Sequence, residues 1–105
     1  MNRIDIYNKY QGHCAYCGIP ITIKQMQVDH IQAKSRFKET EYNPSCKPCN
    51  IRKNTLTIEE FRIEIKRDIL QLRRDSAKFR TVERFRLVTV SDIDISFYFE
   101  GIRKL

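Results

Sequence analysis

The chain has 105 residues, of which 20 are basic and 13 acidic, giving a net charge of +7 and a hydrophobic fraction of 41%. This length allows one small domain or a core with an appendage, and the apolar content excludes a disordered or fibrous protein. Because no signal-peptide core and no apolar run of about 18 residues occurs, we expect a soluble, cytoplasmic protein without a membrane partner. The basic excess fits a polyanionic partner.

The first 30 residues are predicted to form a short helix and two short strands. Ile4, Tyr7 and Tyr10 recur at the spacing of one helical face, so we expect a leading helix packed on the core. Apolar and polar residues then alternate over 21–24 and again over 25–28, which indicates strands.

The middle of the chain is predicted to contain a loop, an extended segment and a short helix. Residues 32–41 are polar and lack periodicity, which is typical of a loop. Residues 42–46 are expected to be extended, because Pro44 biases Asn43 toward the β region. A short helix is expected over 50–53.

The second half begins with a predicted long amphipathic helix. Thr57 and Glu60 have the spacing of a capping box, which marks the start of a helix. The apolar stripe that follows consists of Ile58, Phe61, Ile65, Ile69 and Leu72. Residues 75–76 are predicted to end this helix, and a second helical pattern runs over 79–85. Residues then alternate over 93–100, and together with 87–90 before a turn at 91–92 they predict a closing β-hairpin.

The four cysteines form two C-x2-C pairs, Cys14 with Cys17 and Cys46 with Cys49. Disulfides are disfavoured in a chain without an export signal. The spacing lets both sulfurs of a pair turn toward one tetrahedral Zn2+, with bonds of about 2.3 Å. A structural four-cysteine zinc site is therefore predicted, and unmetallated thiols or redox pairs are the alternatives.

Polar residues suited to phosphate chemistry accompany these pairs. Asp29, His30 and Asn43 lie between them, and Asn50 directly follows Cys49. A metal that joins the two pairs would bring the strand end near the start of a helix, where a phosphate and a hard divalent cation can bind. Taken singly, His30 would more often be an ordinary core or surface histidine. Asn43 alone would be assigned to a turn, and Asn50 alone to a helix N-cap.

In these motifs the sequence resembles the HNH endonuclease family, in the form of its HNN-type variant, and small phage-encoded members of that family. The motifs that carry the resemblance are Cys14-x2-Cys17, Asp29-His30-Ile31, Asn43-Pro44 and Cys46-x2-Cys49-Asn50-x2-Lys53. The resemblance implies an α+β fold. By this resemblance a zinc-stabilised, treble-clef-like ββα-metal finger would form residues 1–56. The amphipathic helices and C-terminal β-hairpin, which the hydrophobic pattern predicts, would form an appendage, residues 57–105, packed on it.

The resemblance also implies an activity, the metal-dependent hydrolysis of DNA phosphodiester bonds. His30 would be the general base that activates water, and an imidazole can accept a proton near neutral pH. Asp29 and Asn50 would hold one Mg2+, Mn2+ or another divalent cation, and Asn43 would orient the loop and His30. Asn50 stands where the family most often has His, and its neutral amide is a weaker ligand. With one active site, a monomer is expected to nick one strand.

Basic residues near these motifs are candidate contacts to DNA phosphates. Lys34, Arg36 and Lys38 lie between His30 and Asn43, and Arg52 and Lys53 lie beside Asn50. For the basic residues over 61–86, a solvated helix face and a DNA-tracking face remain equally open.

Two rival functions do not require catalysis. The chain could be a zinc-stabilised module that binds nucleic acid through the same basic surface. It could also be an adaptor for a larger phage packaging enzyme, with zinc holding only its shape. Salt dependence separates these, because phosphate binding weakens steeply with salt and apolar docking does not.

Overall fold

The structure is a computed structural model that describes residues 2–31 and 41–103. Within these residues the chain forms five helices and two strands and is of the α+β class, as predicted. The elements are α1 (Arg3–Asn8), β1 (Gln27–His30), β2 (Tyr42–Ser45), α2 (Lys47–Lys53), α3 (Ile58–Asp75), α4 (Ala77–Arg84) and α5 (Tyr98–Arg103).

The two strands form an antiparallel pair that leads directly into a helix. Asp29 lies opposite Asn43, and His30 lies opposite Tyr42. Cys46, the single residue between β2 and α2, is the N-cap of α2, which has a proline in its first turn. The order strand, strand, helix therefore places the end of β1 against α2.

The two longer helices begin and end where their capping residues predict. The Thr57 side chain accepts a hydrogen bond from the Glu60 amide, and the Glu60 carboxylate accepts one from the Thr57 amide, which completes a capping box at the start of α3. Ser76 ends α3, and its hydroxyl accepts from the Phe79 amide to begin α4.

An aromatic cluster joins the C-terminal segment to the first cysteine turn. The Tyr16 ring meets the rings of Phe61, Phe97 and Phe99 edge-on, with centroids 5.6, 5.4 and 6.1 Å away. The amides of Tyr98 and Phe99 donate to the carbonyl oxygens of Tyr16 and Ala15 at 3.0 and 2.9 Å. Residues from both halves of the chain therefore share one core.

The C-terminal β-hairpin predicted for 87–100 is wrong. No strand occurs over 85–97, which the structure describes in full, and α5 begins at Tyr98. Phe97 and Phe99 are both buried against Tyr16, so their alternation reflects packing on the cysteine turn and not pairing with a second strand. The Glu100 carboxylate accepts a hydrogen bond from the Phe97 amide and so caps α5.

The strand predicted over 21–24 is also wrong. The chain makes a turn over 23–25, and the only pairing there is an isolated bridge between His13 and Pro20. The Ile21 carbonyl accepts a hydrogen bond from the Tyr7 hydroxyl at 2.7 Å, so this segment packs on α1.

Gly18 fits a tight space in the first cysteine turn. Its φ is +80°, a conformation that glycine adopts without strain, and a Cβ here would lie 2.7 Å from the Tyr98 ring. Both the turn and the close approach of α5 therefore require glycine.

No helix within the described ranges, 2–31 and 41–103, has the length and apolar character needed to cross a membrane.

We expect Phe97→Ala to destabilise the whole fold, because it leaves a cavity beside Tyr16. The expected loss is about 3–5 kcal/mol of unfolding free energy, measured by urea denaturation. The matched control is Phe85→Ala, which removes a ring that is 74% exposed and should change stability by no more than about 0.5 kcal/mol. Equal effects of the two substitutions would contradict a shared core.

Candidate metal centre and active site

The four cysteine sulfurs converge on one point. All four Sγ atoms lie within 4.8 Å of one another, and those of Cys17 and Cys46 are 3.7 Å apart. A tetrahedral ion with bonds of about 2.3 Å places its ligands about 3.8 Å apart, so the sulfurs fit such an ion. The Cys14 amide donates to the Ile19 carbonyl and the Gly18 amide to the Cys14 carbonyl, which closes the first turn. The cluster is consistent with a zinc site.

The thiols already polarise one another. A hydrogen bond from Cys49 lowers the pKa of Cys14 to about 4, whereas burial raises the pKa of Cys46 to about 11. The hydrogen bond with Cys14 also raises the pKa of Cys49 well above its usual range. A divalent cation at the cluster would stabilise the thiolate form of these cysteines.

The Asp29 carboxylate is buried and has two donors. Its side chain is 2% exposed, the Tyr16 hydroxyl donates to Oδ2, and the Nζ atom of Lys53 lies 3.1 Å from the same oxygen. Burial raises the pKa of Asp29, while the hydrogen bond from Tyr16 and the charge of Lys53 lower it. Because both neighbours are donors, they fit the ionised carboxylate.

Asp29 is therefore not an open metal ligand in this arrangement. A divalent cation at Oδ2 would compete with Tyr16 and Lys53 for that oxygen. The residues that hold Asp29 fit a buried ion pair, and they do not fit the vacant, solvent-accessible carboxylate that an exchangeable Mg2+ needs.

His30 is half-buried at the end of β1. Its ring meets the Tyr42 ring edge-on, with centroids 5.0 Å apart, and its carbonyl accepts a hydrogen bond from the Lys53 ammonium at 2.8 Å. Successive residues of a strand point to opposite sides, so the buried Asp29 and the more accessible His30 face different ways. The imidazole is thus more accessible than the Asp29 carboxylate.

Asn43 lies on the buried side of the strand pair, close to Asp29. Its side chain is fully buried, its Oδ1 accepts from the Lys9 ammonium at 3.0 Å, and its Nδ2 lies 3.5 Å from the Tyr16 hydroxyl. Lys9 also donates to the Tyr42 carbonyl at 2.9 Å. Asn43, the register partner of Asp29, is therefore held in place on the buried side of the strand pair.

The remaining candidate site residues, Asn50, Arg52 and Lys53, lie on different faces of α2, one buried and one exposed. Asn50 is half-buried and lies three residues before Lys53, so both side chains project from the same side of the helix. The Lys53 side chain is fully buried. Arg52 is exposed, and its guanidinium binds the Asp68 carboxylate at 2.6 Å. Of these residues, only Arg52 presents its charged group at the surface.

Two residues that hold this site were missed by the sequence analysis, Tyr16 and Lys9. Tyr16 lies inside the first cysteine pair, where an aromatic residue has no pattern to mark it as the donor to a distant aspartate. Lys9 follows α1, far along the chain from Asn43. No signal in a single sequence links either residue to its partner.

The basic candidates in the loop, Lys34, Arg36 and Lys38, lie outside the described residues.

On α3, which is described completely, every basic residue has an acidic partner. The pairs are Arg62 with Glu59 and Glu100, Lys66 with Asp92, Arg67 with Glu64, Arg73 with Glu83 and Arg74 with Asp75. This pairing favours the solvated-face interpretation of α3.

A strand pair, a helix and two cysteine turns joined at one point define a small metal-binding α+β domain. The model of the HNH endonuclease family matches residues 14–56, which confirms for this segment the resemblance to that family predicted from the sequence. The match supports a nuclease with a nucleic-acid substrate. No curated protein and no solved structure gave a significant match.

We expect Cys46→Ser to abolish metal binding at the cluster and to unfold the segment that the cysteines close. Three thiolates hold a structural ion less tightly, and metal binding of this kind contributes directly to folding. The checks are metal content and thermal melting, with Ser45→Ala as a control that leaves all four sulfurs in place. Native-like melting of metal-free Cys46→Ser would contradict a structural role of the metal.

Proposed function

We propose that this protein is a metal-dependent DNA endonuclease that nicks one strand of a duplex, with a structural Zn2+ at the four cysteines. The observation that carries the proposal is the position of His30. It lies at the accessible end of β1, within the segment matched by the HNH family model, and its backbone is held by a buried lysine.

In this proposal His30 is the general base. Its imidazole accepts a proton from the attacking water, and the edge-on contact with Tyr42 limits how the ring can turn. A divalent cation, when bound, supplies charge stabilisation at the phosphate. Asn50 is the proposed protein ligand for that cation. Asp29 could join it only after its ion pair with Lys53 opens.

The proposed DNA contacts are phosphate contacts from basic side chains near the site. Arg52 is exposed near Asn50 and would exchange its ion pair with Asp68 for a phosphate, and Lys34, Arg36 and Lys38 belong to the same proposal by their place in the sequence. Lys53 is left out of this set, because its ammonium is buried and already bonded.

His30→Ala should lower the rate of supercoiled-plasmid nicking by about 10²- to 10⁴-fold, because water loses its proton acceptor. The assay compares Mg2+, Mn2+ and EDTA, and separates open circles from linear product. His13→Ala is the matched control, since it removes the only other histidine and should leave the rate unchanged. Normal cleavage by His30→Ala would exclude His30 as the base.

Asn50→Ala should raise the concentration of Mn2+ needed for half-maximal cleavage. Asn50→His should keep that concentration at the wild-type value or lower it. Imidazole and amide can both donate to the cation, whereas a methyl group cannot. The measurement is cleavage rate against metal concentration. An unchanged metal requirement in Asn50→Ala would exclude a ligand role for this residue.

A second candidate function is favoured by one observation, the buried ion pair between Asp29 and Lys53. A carboxylate bound to a buried lysine is what a non-catalytic binding module or a packaging-enzyme adaptor could retain. Wild-type protein that binds plasmid in a salt-sensitive manner but does not cut it with any metal would favour the binding module. Salt-insensitive association with a protein partner would favour the adaptor.

A further inference from the structure

Lys53 has unusual surroundings for a lysine. Its side chain is 0% exposed, although lysine is almost never fully buried unless it is paired. The Nζ atom lies 3.1 Å from Asp29 Oδ2, 3.4 Å from Asp29 Oδ1 and 2.8 Å from the His30 carbonyl oxygen. The ammonium thus bonds both the side chain that precedes His30 and the backbone of His30 itself.

The same aspartate is reached from both cysteine turns. Tyr16 lies between Cys14 and Cys17 and donates to Asp29. Lys53 lies one helical turn after Cys49 and contacts both carboxylate oxygens, including the one to which Tyr16 donates. The end of β1 is therefore tied to the two segments that the metal site would join.

We propose that Lys53 is a positioning residue for His30, which it holds through the Asp29 carboxylate and the His30 carbonyl, and that it does not contact DNA phosphate. This inference rests on the proposed nuclease function. It gives Asp29 a second task, because a carboxylate that neutralises the buried ammonium keeps Lys53 next to His30.

The surface of α2 provides a direct comparison. Lys47 lies on the same helix and is exposed, whereas Lys53 is buried. Replacing either lysine by methionine removes one positive charge and keeps an unbranched side chain. A role in positioning predicts different effects of the two substitutions, although both change the net charge equally.

The kinetic test compares Lys53→Met with Lys47→Met in plasmid nicking. Displacement of a reacting group by about 1 Å can cost about 10²-fold in rate, so we expect kcat of Lys53→Met to fall by about that factor. Its KM for DNA and the salt slope of binding should stay at wild-type values. Weaker binding, a salt slope reduced by about 1 and a normal kcat would identify a phosphate contact and overturn the proposal.

A double variant covers the case in which Lys53→Met alone does not fold. Lys53→Met leaves the Asp29 carboxylate buried and unpaired, whereas Asp29→Asn with Lys53→Met removes both charges. We expect the double variant to keep its cysteine-bound metal and to have the same low kcat, because the His30 carbonyl still lacks its donor. A wild-type kcat in the folded double variant would overturn the proposal.

A spectroscopic readout separates this proposal from the proposed function. The chain has two histidines, so their ring NMR signals are easily assigned. We expect Lys53→Met or the double variant to shift the His30 signals and to leave those of His13 in place, and Lys47→Met to shift neither. Unmoved His30 signals would overturn the positioning role. Absence of cleavage by wild type, with shifted His30 signals, would overturn the nuclease and retain the positioning.

Discussion

The convergence of four thiols is the constraint on which the rest of the structure depends. The cysteines bring the turn at 14–17 against the start of α2, although these segments are far apart in the sequence. Only this closure places Tyr16 and Lys53 on the same aspartate. A chain of this length buries a modest apolar core. An ion at the cysteines would therefore add folding free energy to what apolar burial supplies.

Inside this closure lies a polar centre. Asp29, Asn43 and Lys53 are buried, and Tyr16 and Lys9 complete their hydrogen bonds. Within the described residues, no buried side-chain nitrogen or oxygen lacks a partner. Burying these groups is costly unless all are paired, and each donor here is met by an acceptor. The arrangement favours a defined geometry at the strand end more than it adds stability.

The sequence predicted the features that depend on local spacing. The cysteine pairs, the capping box at Thr57 and the break at Ser76 need only neighbouring residues to act, and each was found where predicted. The C-terminal hairpin was wrongly predicted from alternating apolar residues. Phe97 and Phe99 are two residues apart and both buried, and this spacing is the same whether they pack in a sheet or on a cysteine turn. The pairing of Lys53 with Asp29 could not be predicted from the sequence, because the burial of a lysine depends on tertiary packing. The roles of His30, Asn43 and Asn50 stay predictions.

The contact between Gly18 and Tyr98 bears on how this domain can evolve. The HNH segment ends well before α5, yet its first cysteine turn has space for Tyr98 only because residue 18 has no side chain. The turn and the C-terminal segment must therefore change together. Residues 14–56 transferred alone to another protein would lose the aromatic contacts of Tyr16 with Phe97 and Phe99, so the folded unit extends beyond the segment that the family model matches.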